Sequence, residues 1–101
     1  MQLTRFEALG LLPPRAKSFD LYAKLPDAQH CRARLKWQKY KTLSMEGLLN
    51  WLNTHSPVNL VYLSDTKRPY LKFQNATYLK VDKRKLRKFV LENPTGYFEV
   101  N

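Results

Sequence analysis

Between Cys31 and Lys41 the chain reads CRARLKWQKYK. Cys31, Ala33, Leu35 and Trp37 alternate with Arg32, Arg34, Lys36 and Gln38, the period of two that gives a strand one apolar and one cationic side. Propensity opposes periodicity, because Ala, Leu, Arg, Lys and Gln all favour helix and Asp27 is placed to cap a helix starting at Ala28. As a helix, however, the segment splits its apolar residues, with Cys31 and Leu35 on one side and Ala33, Trp37 and Tyr40 on another. The strand is the preferred reading and the helix the open alternative. As a strand it turns its apolar side to the core and its cations to an anionic partner.

The other segments read more simply. Thr4 and Glu7 form a T-x-x-E capping box opening a short helix to about Leu9, with Gly10 as its stop and Pro13-Pro14 preventing continuation. From Arg15 to Leu25, Ala16, Phe19, Tyr22 and Ala23 recur at helical spacing before Pro26, which predicts a second short helix. Ser44 caps a helix whose Met45, Leu48, Leu49 and Leu52 share a face, with Leu43 and Leu48 forming a staple. It ends near Asn53. VNLVYL reads as a strand, SDTKRP as a turn, and YLKF with TYLKV as a hairpin around the polar loop QNA. Asp82 caps a last helix, KRKLRKFVLE, whose apolar side consists of Leu86, Phe89 and Val90, and YFEV adds an edge strand. The expected fold is a small single α+β domain over residues 1–101, built of short helices with a β-hairpin or small antiparallel sheet.

Composition agrees with one modest core: 101 residues, 44% hydrophobic and 26% charged, the range of ordinary folded domains. No apolar run approaches the roughly 20 residues of a membrane span, so no membrane association is expected. A lone cysteine, Cys31, excludes an internal disulfide and fits a reducing cytoplasm. Charge changes the picture most. The formal net charge is +10, and it is concentrated: residues 28–41 carry +5, residues 67–88 carry +8, and the rest of the chain is net negative. Such crowding repels itself in a compact fold, and a polyanion is the simplest compensation.

Catalytic chemistry finds no support. His30 and Cys31 are adjacent, not spaced as ligands, and His55 stands alone, so no metal site is expected. A Cys–His dyad has no third group to orient it, and a small buried cysteine is the simpler account of Cys31. Asp20, Asp27, Asp65 and Asp82 are scattered, and capping or turn roles account for the last three. Three isolated glycines build no phosphate loop. The expectation is a non-enzyme without cofactors.

Binding is better supported, since cations beside exposed aromatics pair with phosphates while rings stack on bases. The candidate contacts are Arg32, Arg34, Lys36, Lys39 and Lys41; Lys67, Arg68 and Lys72; Lys83, Arg84, Lys85, Arg87 and Lys88; and the aromatics Tyr40, Tyr70 and Tyr78. Trp37, Trp51, Phe73 and Phe89 are read as core. On the last helix the like charges are too crowded to be intrinsically stabilising, which is the clearest local sign of an anionic ligand.

Two stretches carry a resemblance: Leu3, Thr4, Glu7, Ala8 and Leu11 at the start, and ATYLKVDKRKLRKFV near the end. The first resembles the capped opening helix of winged helix-turn-helix proteins of the small phage regulator and excisionase type, and the second their wing strand and final helix. The resemblance implies that Arg15, Lys17 and Lys24 lie on a groove-facing second helix, and Lys67, Arg68 and Lys72 on or near the wing. The chain departs from that pattern in its LLPP turn and in the basic stretch and leucine helix between the two pieces. The expected function is therefore a nucleic-acid-binding, DNA-associated regulator, with DNA favoured over RNA and phosphate contacts dominant. The alternative is a phage-type inhibitor docking on a host DNA-processing complex for recombination or restriction.

Overall fold

The computed structural model describes residues 3–26, 35–63, 67–93 and 98–100, the last three as backbone only. Among the described residues three helices and six strands follow the order α1 (Arg5–Gly10), β1 (Phe19–Pro26), β2 (Leu35–Leu43), α2 (Met45–Thr54), β3 (Pro57–Leu63), β4 (Arg68–Phe73), β5 (Tyr78–Lys80), α3 (Lys83–Glu92) and β6 (Phe98–Val100). This is the small α+β domain that the sequence implies. The strands form one sheet in the order β2-β1-β5-β4-β3-β6, antiparallel except for the β3–β6 pair at one edge.

Each helix starts where a short polar side chain replaces a missing intrahelical bond. Thr4 Oγ1 accepts from the Glu7 N–H at 3.3 Å, Ser44 Oγ from Gly47 at 3.1 Å, and Asp82 Oδ1 from Arg84 at 2.9 Å. The Asp82 N–H also bonds the Leu11 carbonyl, which ties the start of α3 to the turn after α1. In the β4–β5 hairpin a three-residue loop runs from Gln74 to Ala76, and Ala76 takes φ 59°. That left-handed position normally belongs to Gly or Asn.

The main core lies between the helices and one face of the sheet. Phe19 and Leu21 of β1, Leu60 of β3, Leu71 and Phe73 of β4, and Leu79 of β5 meet Ala8, Leu11 and Leu12 after or within α1 and Leu48 and Leu52 of α2. Trp51, Leu86 and Phe89 pack on this core half-buried. Met45 and Leu49, expected on the buried side of α2, are 38% and 43% exposed. Along α2 the inward stripe is thus narrower than the sequence suggests.

The segment expected to form a helix from Arg15 to Leu25 is instead the strand β1. Over eight residues the two templates overlap: Phe19, Leu21, Ala23 and Leu25 also alternate with Asp20, Tyr22 and Lys24, and pairing with β2 and β5 on both sides decides for the strand. Arg15 and Lys17 therefore lie in the connection before β1, and Lys24 lies on the strand. None of the three is on a groove-facing helix.

The period-two segment is a strand from Leu35 onward; residues 31–34, including Arg32 and Arg34, fall outside the described part. Its apolar side does not face the core in the expected way. The register runs Phe19↔Leu43, Leu21↔Lys41, then Tyr22↔Lys39 and Lys24↔Trp37, so Tyr40 is an extra residue in β2. Such a bulge reverses the inward–outward parity of everything beyond it. Leu43 stays with the core, whereas Lys39, Trp37 and Leu35 turn to the opposite face of the sheet.

Candidate nucleic-acid interface

That opposite face has no helix packed on it among the described residues. Its centre is a second apolar cluster of Val61, Leu63 and Tyr70, against which Tyr22, Trp37 and Tyr78 pack half-buried. Trp37 stacks nearly parallel to Tyr70, with ring centroids 6.1 Å apart and planes 13° from parallel. Tyr78 meets Trp37 edge-on at 4.9 Å, and Tyr22 meets Tyr70 edge-on at 5.8 Å. Offset and edge-to-face pairs of this kind let the quadrupoles of neighbouring rings attract, which holds the rings in place.

Cations surround the rings because strand alternation places them there. On β4, Arg68 and Lys72 flank Tyr70 at two-residue spacing, and on β5 Lys80 follows Tyr78 in the same way. Register then aligns one row across five strands: Asn59, Lys72, Tyr78, Tyr22 and Lys39. Lys24, paired with Trp37, lays its Nζ over the Trp37 ring 5.4 Å from the centroid. An opposing charge on this face is Asp20, which accepts from Thr42 Oγ1 at 2.9 Å and lies 3.4 Å from Lys39 Nζ. It forms the one ion pair among the described residues.

The short β5 ends before its neighbours and leaves a notch between the starts of β1 and β4. This cavity of about 450 Å³ is lined by Asp20, Arg68, Lys80, Asp82 and Lys83 together with Phe19 and Pro69. It joins the aromatic face to the first turn of α3.

The predicted site residues divide into groups. Lys39, Arg68, Lys72, Tyr70 and Tyr78 come together on the aromatic face, although Tyr70 is only 4% exposed and packs against Tyr22, Trp37 and Tyr78. Tyr40 is the bulge residue, 55% exposed at the margin. Lys36 and Lys41 alternate with the aromatic-face positions and point away from it, and Lys67 sits exposed at φ 55° just before β4. Lys83 reaches the notch. Arg84, Lys85, Arg87 and Lys88 belong to the helix layer, because Leu86 and Phe89 anchor α3 to the core on that side. Tyr22, Trp37 and Lys80 were missed as site residues, and Lys24 was named only through the resemblance, on a helix in place of the strand it occupies. A period-two reading of Phe19 to Pro26 would have found Tyr22 and put Lys24 on the same strand face. Trp37 required knowledge of the bulge.

Among the described residues no three His, Cys, Asp or Glu side chains gather to hold a metal ion. His55 stacks on Trp51 with centroids 3.8 Å apart, and its Nδ1 lies 2.8 Å from Thr54 Oγ1 and 3.2 Å from the Trp51 carbonyl, an arrangement that closes the end of α2. His30 and Cys31 lie outside the described residues. No described helix is long and apolar enough to cross a membrane. Comparison of the chain with protein-family models, curated proteins and solved structures finds no match.

Proposed function

We propose that this protein is a non-enzymatic nucleic-acid-binding domain whose affinity comes chiefly from phosphate contacts. The observation that carries the reading is the gathering of Lys24, Lys39, Arg68, Lys72 and Lys80 around one aromatic sheet face, where Asp20 pairs with Lys39 and leaves the positive charge in excess among the side chains described. Like charges brought together by folding raise the energy of the compact state, and an anionic polymer relieves that repulsion while releasing its own counterions. The cations of α3 form a second basic surface on the helix side, joined to the first through Lys83 and the notch. A backbone passing through the notch touches both.

The test is a salt series read by fluorescence anisotropy on labelled oligonucleotides. Binding should fall steeply with salt, with a log–log slope of roughly −0.7 to −0.9 per phosphate contacted. Joint replacement of Lys24, Lys72 and Lys80 by Gln should flatten the slope by about two to three such contacts. Absence of binding at low salt would overturn the reading. Capture from host extract of a stoichiometric DNA-processing enzyme without nucleic acid would favour a docking protein in its place.

A further inference from the structure

We infer that the aromatic face takes unpaired strands in preference to duplex, with bases laid against Trp37, Tyr78 and Tyr22 and phosphates on the surrounding cations. This rests on the nucleic-acid reading and names the form of ligand that the same face would accept.

Three observations lead there. The face is a sheet surface with half-exposed rings at its centre. A sheet face with a purely structural role, turned to water, carries polar side chains in alternation with the core ones. Here the outward positions of β1, β2, β4 and β5 include Tyr22, Trp37, Tyr70 and Tyr78. In a duplex the flat faces of bases are occupied by their neighbours, so rings on a protein surface reach them only in a single strand.

Second, the rings are held ready. Trp37 is held by its stack against Tyr70, and Tyr78 packs edge-on against Trp37. A base settling there meets a surface already ordered, so little side-chain entropy is lost on binding. Third, the cations stand at the rim of the rings. Lys24 Nζ lies over the Trp37 ring, and a base stacking on that ring takes the place of the ammonium group and leaves it free to pair with the adjoining phosphate. Lys72 and Lys39 flank Tyr78 and Tyr22 along their row. This pattern of central rings and peripheral charge matches the chemistry of a single strand, whose bases and phosphates lie on opposite edges. The phosphate-lined exterior of a duplex would engage the rim and leave the rings unused.

The experiment uses the full chain and three labelled probes of equal length: a mixed-sequence DNA single strand, the matching RNA strand, and the DNA duplex. Anisotropy at low salt should show at least one single strand binding about ten-fold or more tightly than the duplex. Trp37→Leu keeps the apolar bulk and the net charge but removes the ring, and should weaken single-strand binding by about ten-fold, with duplex binding unchanged. Should that variant fold poorly by circular dichroism, Tyr78→Leu is the parallel test, and Trp51→Phe isolates Trp37 fluorescence, which single strands should quench. If nothing binds, the nucleic-acid reading fails and this inference with it. Equal binding of strand and duplex, with Trp37→Leu and Tyr78→Leu both silent, would overturn the inference and leave the broader reading in place. A single-strand preference that survives both substitutions would remove the rings from the interface.

Discussion

The two faces of the sheet are built from the same strands and have opposite chemistry. On the helix side Leu21, Leu60, Leu71, Phe73 and Leu79 are 0–1% exposed and touch one another and the helices. On the other side their immediate neighbours in sequence, Tyr22, Val61, Lys72 and Lys80, form an apolar floor with a charged rim. The difference shows how one residue of shift separates a packed core face from an aromatic face bordered by charge. Leucine is suited to the first face because it fills space without polar atoms. Tyrosine and tryptophan suit the second because they can be half-buried, packed in edge contacts, and still offer a ring or a hydroxyl to another molecule.

The strongest way to break this comparison is to remove the residue that separates the faces on β2. Deleting Tyr40 should force Lys39 and Trp37 toward the helix side, or shear the hairpin, at a cost of at least about 4–5 kcal/mol; urea unfolding measures it, and a near-native midpoint would show that the bulge is dispensable. Next come truncations on the helix side. Leu21→Ala and Leu71→Ala should each cost about 2–5 kcal/mol, with nucleic-acid affinity unchanged once corrected for the folded fraction. At the boundary, Asp82→Ala removes the cap of α3 and a carboxylate lining the notch. It should lower stability by about 1 kcal/mol in thermal unfolding and raise affinity slightly, and a loss of affinity would argue against phosphate passing there. Smallest in stability is Lys72→Gln, expected to move it by under about 0.5 kcal/mol while lowering the salt slope by roughly 0.7 on single strands.

Much of the fold was legible along the chain. The capping residues Thr4, Ser44 and Asp82 act within three positions of themselves, so their signal is local and the three helices start where they indicate. The β3 strand and the β4–β5 hairpin are equally readable, being short apolar runs separated by turn residues. β1 was not, because eight residues with apolar groups at positions 19, 21, 22, 23 and 25 satisfy both the strand and the helix template. The candidate site was half legible. Charge clusters in sequence, so Lys39, Arg68, Lys72 and the cations of α3 could be named. What could not be read was which of them share a surface, since α3 and the aromatic face lie on opposite sides of the sheet.

The amino-acid sequence by itself determined where the three capped helices begin and that the molecule carries a large unbalanced positive charge, and it favoured a strand in the basic stretch without excluding a helix. These depend on interactions spanning a few residues, or on composition alone. The tertiary structure decided the faces. Whether Trp37 joins the leucine core or stacks on Tyr70 depends on one unpaired residue in a long antiparallel ladder, and whether Lys24 stands beside Trp37 depends on the register between two strands. Register is set by the summed fit of many side chains across strands, a sum over partners that are distant in sequence, so no local pattern contains it.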